Sequence, residues 1–223
     1  MLILAIDTSG RKGSVALCRG DAASFETLQL APLEHGTYSA RLMPTIASIL
    51  RQACFDKGDL DALVAVSGPG SFTGLRVGLA TVKGLCEILQ KSLATVSTLE
   101  AVAVTHGSRE ATSVLDAGRG EVYVGEYRLR SDSAAVREYI AKLADFAVSA
   151  GNITGELLTP DPSVADFLRA ANRNIRRVAT VQADEIGRIG LRKLLAGDVA
   201  DPASVDVNYI RRSDAEIFSA AKH

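Results

Sequence analysis

The sequence predicts an α/β protein built from two duplicated domains that face each other across a cleft. Three observations carry this expectation. Short apolar strands alternate with segments of helical spacing. The plan of the first half recurs in the second: an apolar strand ends in an aspartate, Asp7 or Asp116, and a Gly-Arg turn, Gly10-Arg11 or Gly118-Arg119, leads into another strand. A chain of 223 residues with 47% apolar content can bury two small cores, and with aromatics at 5% and no Trp those cores must be aliphatic. Repetition on this scale implies duplicated domains rather than a solenoid.

In the first half, residues 2–6 and 14–18 read as buried strands, with a third extended segment near 24–30. A helix follows over about 37–55, where Leu42, Met43, Ile46, Ile49, Leu50 and Ala53 recur at i, i+3, i+4 spacing. Pro44 is tolerated if it falls near the first turn of that helix. A strand over 62–66, a glycine-bearing helix over about 72–90 and a strand over 93–96 complete this half.

The second half has strands over 112–115 and 121–129, then a weaker extended piece near 136–140. Helices are expected over 141–150, 163–171 and 183–196, with an extended piece around 156–158 and a strand over 175–179. The expected division is a first domain over 1–98, a second over 99–205 and a C-terminal extended segment and tail over 206–223.

The stretch Ser67-Gly-Pro-Gly-Ser-Phe-Thr-Gly74-Leu-Arg-Val-Gly78 joins a strand to a helix. Its glycines let the backbone bend and approach a neighbour closely, and Ser71 is placed as an N-cap. Nucleotide motifs do not fit it. Gly74 is followed by Leu75 and Arg76 rather than the Lys-Ser/Thr of a Walker loop. Gly68, Gly70 and Gly74 are spaced one residue too wide for a dinucleotide fingerprint. The spacing alone leaves two uses open, packing against another backbone or contact with a phosphate or partner. Asp7 and Asp116 also have two uses. Each can cap its own turn through local N–H groups, or look into the cleft beyond the strand ends, where ligands bind in such sheets.

A formal net charge of −1 gives no global attraction to nucleic acid or an anionic membrane. The local clusters Arg173, Arg176 and Arg177, Arg188, Arg192 and Lys193, and Arg211 and Arg212 read as solvated faces. The apolar start is too short for a signal peptide and no run is long enough to span a bilayer. The odd count of separated cysteines, Cys18, Cys54 and Cys86, each within an apolar pattern, fits reduced, buried thiols in the cytoplasm. The three histidines, His35, His106 and His223, are far apart and form no metal-binding pair. Ser67 and Ser71 have no activating base in view and no G-x-S-x-G elbow.

Seven blocks, Ile3 to Ser9, Ser14 to Leu17, Glu34-His35, Ser67 to Gly84, Ser97 to Glu100, Asp116 to Tyr123 and Tyr209-Ile210-Arg211, span nearly the whole chain. In them the chain resembles the TsaB family, accessory subunits of bacterial tRNA threonylcarbamoyladenosine synthesis within the actin-like ATPase (ribonuclease-H-like) superfamily. The resemblance implies two actin-like domains and a chain that binds and stabilises the catalytic paralogue TsaD. In TsaD a helix carries two metal-binding histidines at i and i+4; the matching positions here are Thr98 and Val102, and Val102 cannot ligate a metal. No catalytic residue, metal or intrinsic cofactor is therefore expected, and nucleotide only in the complex.

The implied partners are TsaD as a heterodimer, TsaE, and tRNA through the complex, with a homodimer when the chain is alone and no membrane. The implied interface runs over the two helices of the first domain, at Leu42, Ile46, Ile49, Gly74, Leu75, Gly78, Leu79 and Val82. Asp7, Arg11, Asp116 and Arg119 are the residues placed for a cleft or nucleotide contact. Two enzymatic readings compete with the accessory one. One is a nucleotide-binding phosphotransferase or ATPase of the same superfamily, resting on Asp7, Asp116 and the glycine turn. The other is a metallopeptidase.

Overall fold

The structure, a computed structural model, describes residues 1–34, 36–129, 133–208 and 210. It is a mixed α/β protein with two five-stranded sheets. His35, Tyr209, Arg211, Arg212, His223 and most of the 206–223 segment lie outside the described residues.

The first sheet contains β1 (Leu2–Asp7), β2 (Lys12–Gly20), β3 (Phe25–Glu34), β4 (Ala62–Gly68) and β5 (Ser92–Ser97) in the order β3-β2-β1-β4-β5. β1, β2 and β3 form an antiparallel meander, and β4 and β5 continue from β1 in parallel. The second sheet contains β6 (Glu110–Gly118), β7 (Glu121–Leu129), β8 (Ser133–Lys142), β9 (Glu156–Thr159) and β10 (Ile175–Arg177) in the order β10-β9-β6-β7-β8. Numbered from its own first strand, this is the same order with the same strand senses. The internal echo in the sequence is thus a repeated topology.

All six residues of β1 are buried, so both faces of the first sheet are covered. Helices α1 (Tyr38–Gln52) and α2 (Phe72–Leu89) pack beside each other, α1 over β2 and β3 and α2 over β4. Helix α6 (Ala183–Leu195) packs on β1, β2, β4 and β5. Gly187 faces Ala5 and Cys18, and a Cβ at Gly190 would run into the Val64 side chain, so only a helix of small contact residues lies this close. Polar links also hold α6 there. Ser14 Oγ accepts the Ala183 N–H at 2.9 Å, and Lys193 Nζ stands 3.0 Å from Glu100 Oε2. The second sheet is covered by α4 (Leu143–Ser149) and α5 (Pro162–Ala170), with Val114, Val122, Val124, Phe146, Leu157, Val164 and Leu168 at the core.

Chain contacts divide the molecule into one unit of Met1–Ala101 with Val181–Val207, and another built on Val102–Thr180. The expected boundaries at 98 and 205 place α6 in the second domain. The structure places it in the first, because its apolar face is the cover for β1, β2, β4 and β5.

Local differences also have local reasons. The expected helix over 141–150 starts later, because the β7–β8 ladder runs on through Val122↔Ala141 and Glu121↔Lys142. Pro44 lies in the second turn of α1 rather than the first, on an exposed surface where water can serve the freed carbonyl. Helix α3 (Thr98–His106) follows β5 directly, an element that periodicity does not pick out because Leu99, Ala101, Val102 and Ala103 are all buried.

Candidate functional site

In the first unit the site is the turn between β1 and β2, at the carboxyl end of β1. Asp7 ends the strand and is buried, 5% exposed. Its Oδ1 accepts the Ser9 N–H at 2.8 Å and the Ser9 hydroxyl at 2.7 Å. This is an Asx turn, in which the carboxylate replaces a backbone acceptor. Burial pushes the Asp7 carboxyl up from its ordinary value, and the two Ser9 hydrogen bonds pull part of the way back. Thr8 and Ser9 are buried as well, whereas Arg11 is exposed.

Two helices close over this turn. Ser71 caps α2, its Oγ accepting the Gly74 N–H at 3.3 Å, and its own N–H donates to the Ser9 carbonyl at 2.7 Å. A Cβ on Gly70 would collide with the Ser9 carbonyl oxygen, and one on Gly74 with that of Thr8. A Cβ on Gly78 would meet the Thr8 hydroxyl. The glycines therefore serve an intrachain approach between backbones. Gly84, further along the same helix, has open space around its Cβ position. From α1, the Tyr38 hydroxyl donates to the Gly10 carbonyl at 2.6 Å.

In the second unit Asp116 is exposed and also holds an Asx turn, its Oδ1 accepting the Gly118 N–H at 2.8 Å. Arg119 and Gly120 form a two-residue hairpin turn with φ of +58° and +76°, the type I′ geometry. Asp161, just past β9, accepts the Asp116 N–H at 2.7 Å. Its carboxyl is pushed up by burial and by the Asp116 charge, and drawn down by that N–H. Sequence reasoning missed Asp161 and Tyr38. The order Asp161-Pro162 at a strand end is a helix-start signature that could have found the first. Nothing in the sequence marks the Tyr38 hydroxyl.

The residues expected at a partner interface need correcting. Leu42, Ile46, Ile49, Leu75, Leu79 and Val82 are buried within the first unit, and Gly74 and Gly78 are buried against its β1–β2 turn. These are the inward faces of α1 and α2, because a sheet needs an apolar cover before a helix has surface to spare. The outward faces carry Met43, 49% exposed, and Ile88, 75% exposed, with Ala47 exposed and Val77 and Gly84 partly so.

At the two positions that the resemblance sets against the paralogue's histidines, Val102 is buried in α3 and the Thr98 hydroxyl is buried without a hydrogen-bond partner among the described residues. His106 Nε2 lies 3.0 Å from the Ala179 carbonyl. Among the described residues no three His, Cys, Asp or Glu side chains gather where one metal could reach them. A trough of about 1020 Å³ in the second unit lies around Arg109, Glu110, Arg128, Glu156 and Arg176. Its charges are partly matched: Arg176 pairs with Glu156 at 2.8 Å and Arg128 approaches Glu110 at 4.0 Å.

The family model described as TsaD: tRNA N6-adenosine threonylcarbamoyltransferase matches residues 33–178. The tRNA threonylcarbamoyladenosine biosynthesis protein TsaB of Bacillus subtilis (strain 168) is 36% identical over 133 residues, 59% of this chain and 57% of that protein. Its namesake from Escherichia coli (strain K12) is 36% identical over 132 residues, 57% of this chain and 55% of that protein. The chain thus spans about half the length of the curated relatives it matches. The solved structure of YeaZ from Pseudomonas aeruginosa shares the fold, with a TM-score of 0.74 at 22% identity, covering 94% of this chain and 100% of that one. Matched by the TsaD family model over more than half its residues and aligned with TsaB proteins, the chain belongs to the TsaB family, relatives of TsaD.

Proposed function

We propose that this chain is a non-catalytic subunit that binds and stabilises TsaD and, with TsaE, is required for threonylcarbamoyl transfer to adenosine in tRNA. The observation that carries the proposal is the match to the TsaD family model and to TsaB proteins. The buried Val102, which the resemblance sets where the paralogue has a metal ligand, supports the non-catalytic reading. The repeated strand order of the two sheets supports the actin-like reading of the fold. The chain holds no cofactor of its own, nucleotide enters with the complex, and the assembly works in the cytoplasm. Among the described residues no helix is long and apolar enough to cross a membrane.

Docking uses the outward faces of α1 and α2. Met43, Ala47, Val77 and Ile88 give these neighbouring helices an apolar exterior, and Gly84 lets another helix approach closely. The same face serves a second copy of the chain when TsaD is absent. The competing ATPase reading rests on Asp7 and Asp116, yet each carboxylate is engaged in its own turn.

Size-exclusion chromatography with light scattering tests the proposal. The chain mixed with TsaD of the same organism at micromolar concentration forms a heterodimer, and Ile88→Asp weakens it. Two species that stay apart overturn the proposal. Hydrolysis of ATP by the isolated chain, lost in Asp7→Ala, would replace it with the ATPase reading.

A further inference from the structure

The β1–β2 turn is gripped by both helices of the proposed docking face. From α1, Tyr38 donates to the Gly10 carbonyl at 2.6 Å, and a Cβ on Gly13 would stand 2.9 Å from its ring. From α2, the Ser71 N–H reaches the Ser9 carbonyl at 2.7 Å, and Gly70, Gly74 and Gly78 bring the helix onto Thr8 and Ser9 with no side chain between. The Gly74 Cβ position is itself only 3.2 Å from the Tyr38 ring. Two helices therefore meet at one short loop through backbone atoms, a glycine ridge and one rigid ring. Close-packed contacts of this kind do not yield gradually. If α1 shifts against α2, the loop must move with them or its hydrogen bonds must break.

We propose that Tyr38 and the α2 glycines make the Thr8–Arg11 loop a mechanical link, so that docking on the outer faces of α1 and α2 and the conformation of this loop are coupled. The inference rests on the docking reading given above. Tyr38 is a positioning residue here: it touches the loop, and its helix touches the partner. The coupling is reciprocal, so whatever engages the loop also alters affinity for the partner.

Hydrogen–deuterium exchange of the full chain, alone and bound to TsaD, tests this. Gly10 is half-buried and Arg11 exposed, so exchange across the loop is measurable in the free chain. Binding is expected to slow exchange in α1, in α2 and across residues 8–13 together. In Tyr38→Phe the helices stay protected on binding while the loop no longer responds. Affinity in that variant falls by about five-fold or more, because the hydroxyl bonds the Gly13 backbone as well as the Gly10 carbonyl. Protected helices with an unchanged loop overturn the coupling and leave the docking reading standing. Unprotected helices overturn the docking reading itself. A loop that stays protected in Tyr38→Phe means that the partner covers it directly, which also overturns the coupling. Should Tyr38→Phe not fold, the wild-type comparison still decides whether loop and helices respond together.

Discussion

Gly74 and Gly84 look alike in the sequence, both in α2 and both at positions where glycine weakens a helix, yet alanine at each should have opposite effects. Replacing helical glycine by alanine gains about 1 kcal/mol of helix propensity. At Gly84 the new methyl group meets nothing within 4 Å, so most of that gain is kept. At Gly74 it runs into the Thr8 carbonyl oxygen and stands 3.3 Å from the capping Ser71 hydroxyl. Overpacking costs about 1–3 kcal/mol, and the upper end applies because the obstacle is backbone held in a buried turn. The two variants should therefore differ by roughly 2–3 kcal/mol. In a chain of this size that is roughly 4–12 °C in melting temperature. Thermal unfolding followed by far-ultraviolet circular dichroism reads the difference directly. Gly84→Ala should melt above the parent protein and Gly74→Ala below it. If both shift the same way, or Gly74→Ala melts with the parent, the close approach of α2 to the turn is wrong.

Two further outcomes follow from burial. Asp7→Asn keeps an acceptor for the Ser9 N–H while removing a charge that burial disfavours. Because the folded carboxyl titrates above its unfolded value, its contribution to stability is intact below the unfolded value and is lost as pH rises through the folded one. Asp7→Asn should thus be more stable than the parent at neutral pH. The advantage should vanish below about pH 4 in urea titrations, and an advantage that persists there contradicts the assignment. The sequence predicts burial for all three thiols. Cys54 is instead exposed just past the end of α1, while burial pushes Cys18 up to about 12 and Cys86 up to about 11. A disulfide reagent at mild alkaline pH should label Cys54 quickly and the other two only on unfolding. Labelling of Cys18 at the rate of Cys54 would show that the first core opens.

Much of the fold was legible because it is written in local chemistry. The i, i+4 spacing of Leu42, Ile46 and Leu50 marked the buried face of α1, and Ser71 before an apolar run marked the start of α2. The repeated Asp-x-x-Gly-Arg and Asp-x-Gly-Arg blocks marked the first turn of each sheet. What stayed hidden depends on distant residues. The home of α6 is set by the fit of Gly187 and Gly190 onto Ala5, Cys18 and Val64, residues over a hundred positions away. The outward faces of α1 and α2 were equally hidden, because periodicity shows that a helix has an apolar side but not how much of it one sheet consumes.

The two halves share a strand order, yet their first turns have diverged in a way that bears on function. Between β6 and β7 only Arg119 and Gly120 intervene, and the type I′ hairpin they form needs positive φ at both. Such a turn is short and self-contained, so Asp116 at its base stays exposed. Between β1 and β2 four residues intervene, enough for Thr8 and Ser9 to lie buried beneath α2. That added length leaves Asp7 nine-tenths or more buried and brings its loop against both α1 and α2. The same aspartate position thus anchors an open hairpin in one unit and an internal wedge in the other. Shortening the first loop to two residues would release the wedge. By this reasoning that change should loosen α1 from α2 before it disturbs the sheet.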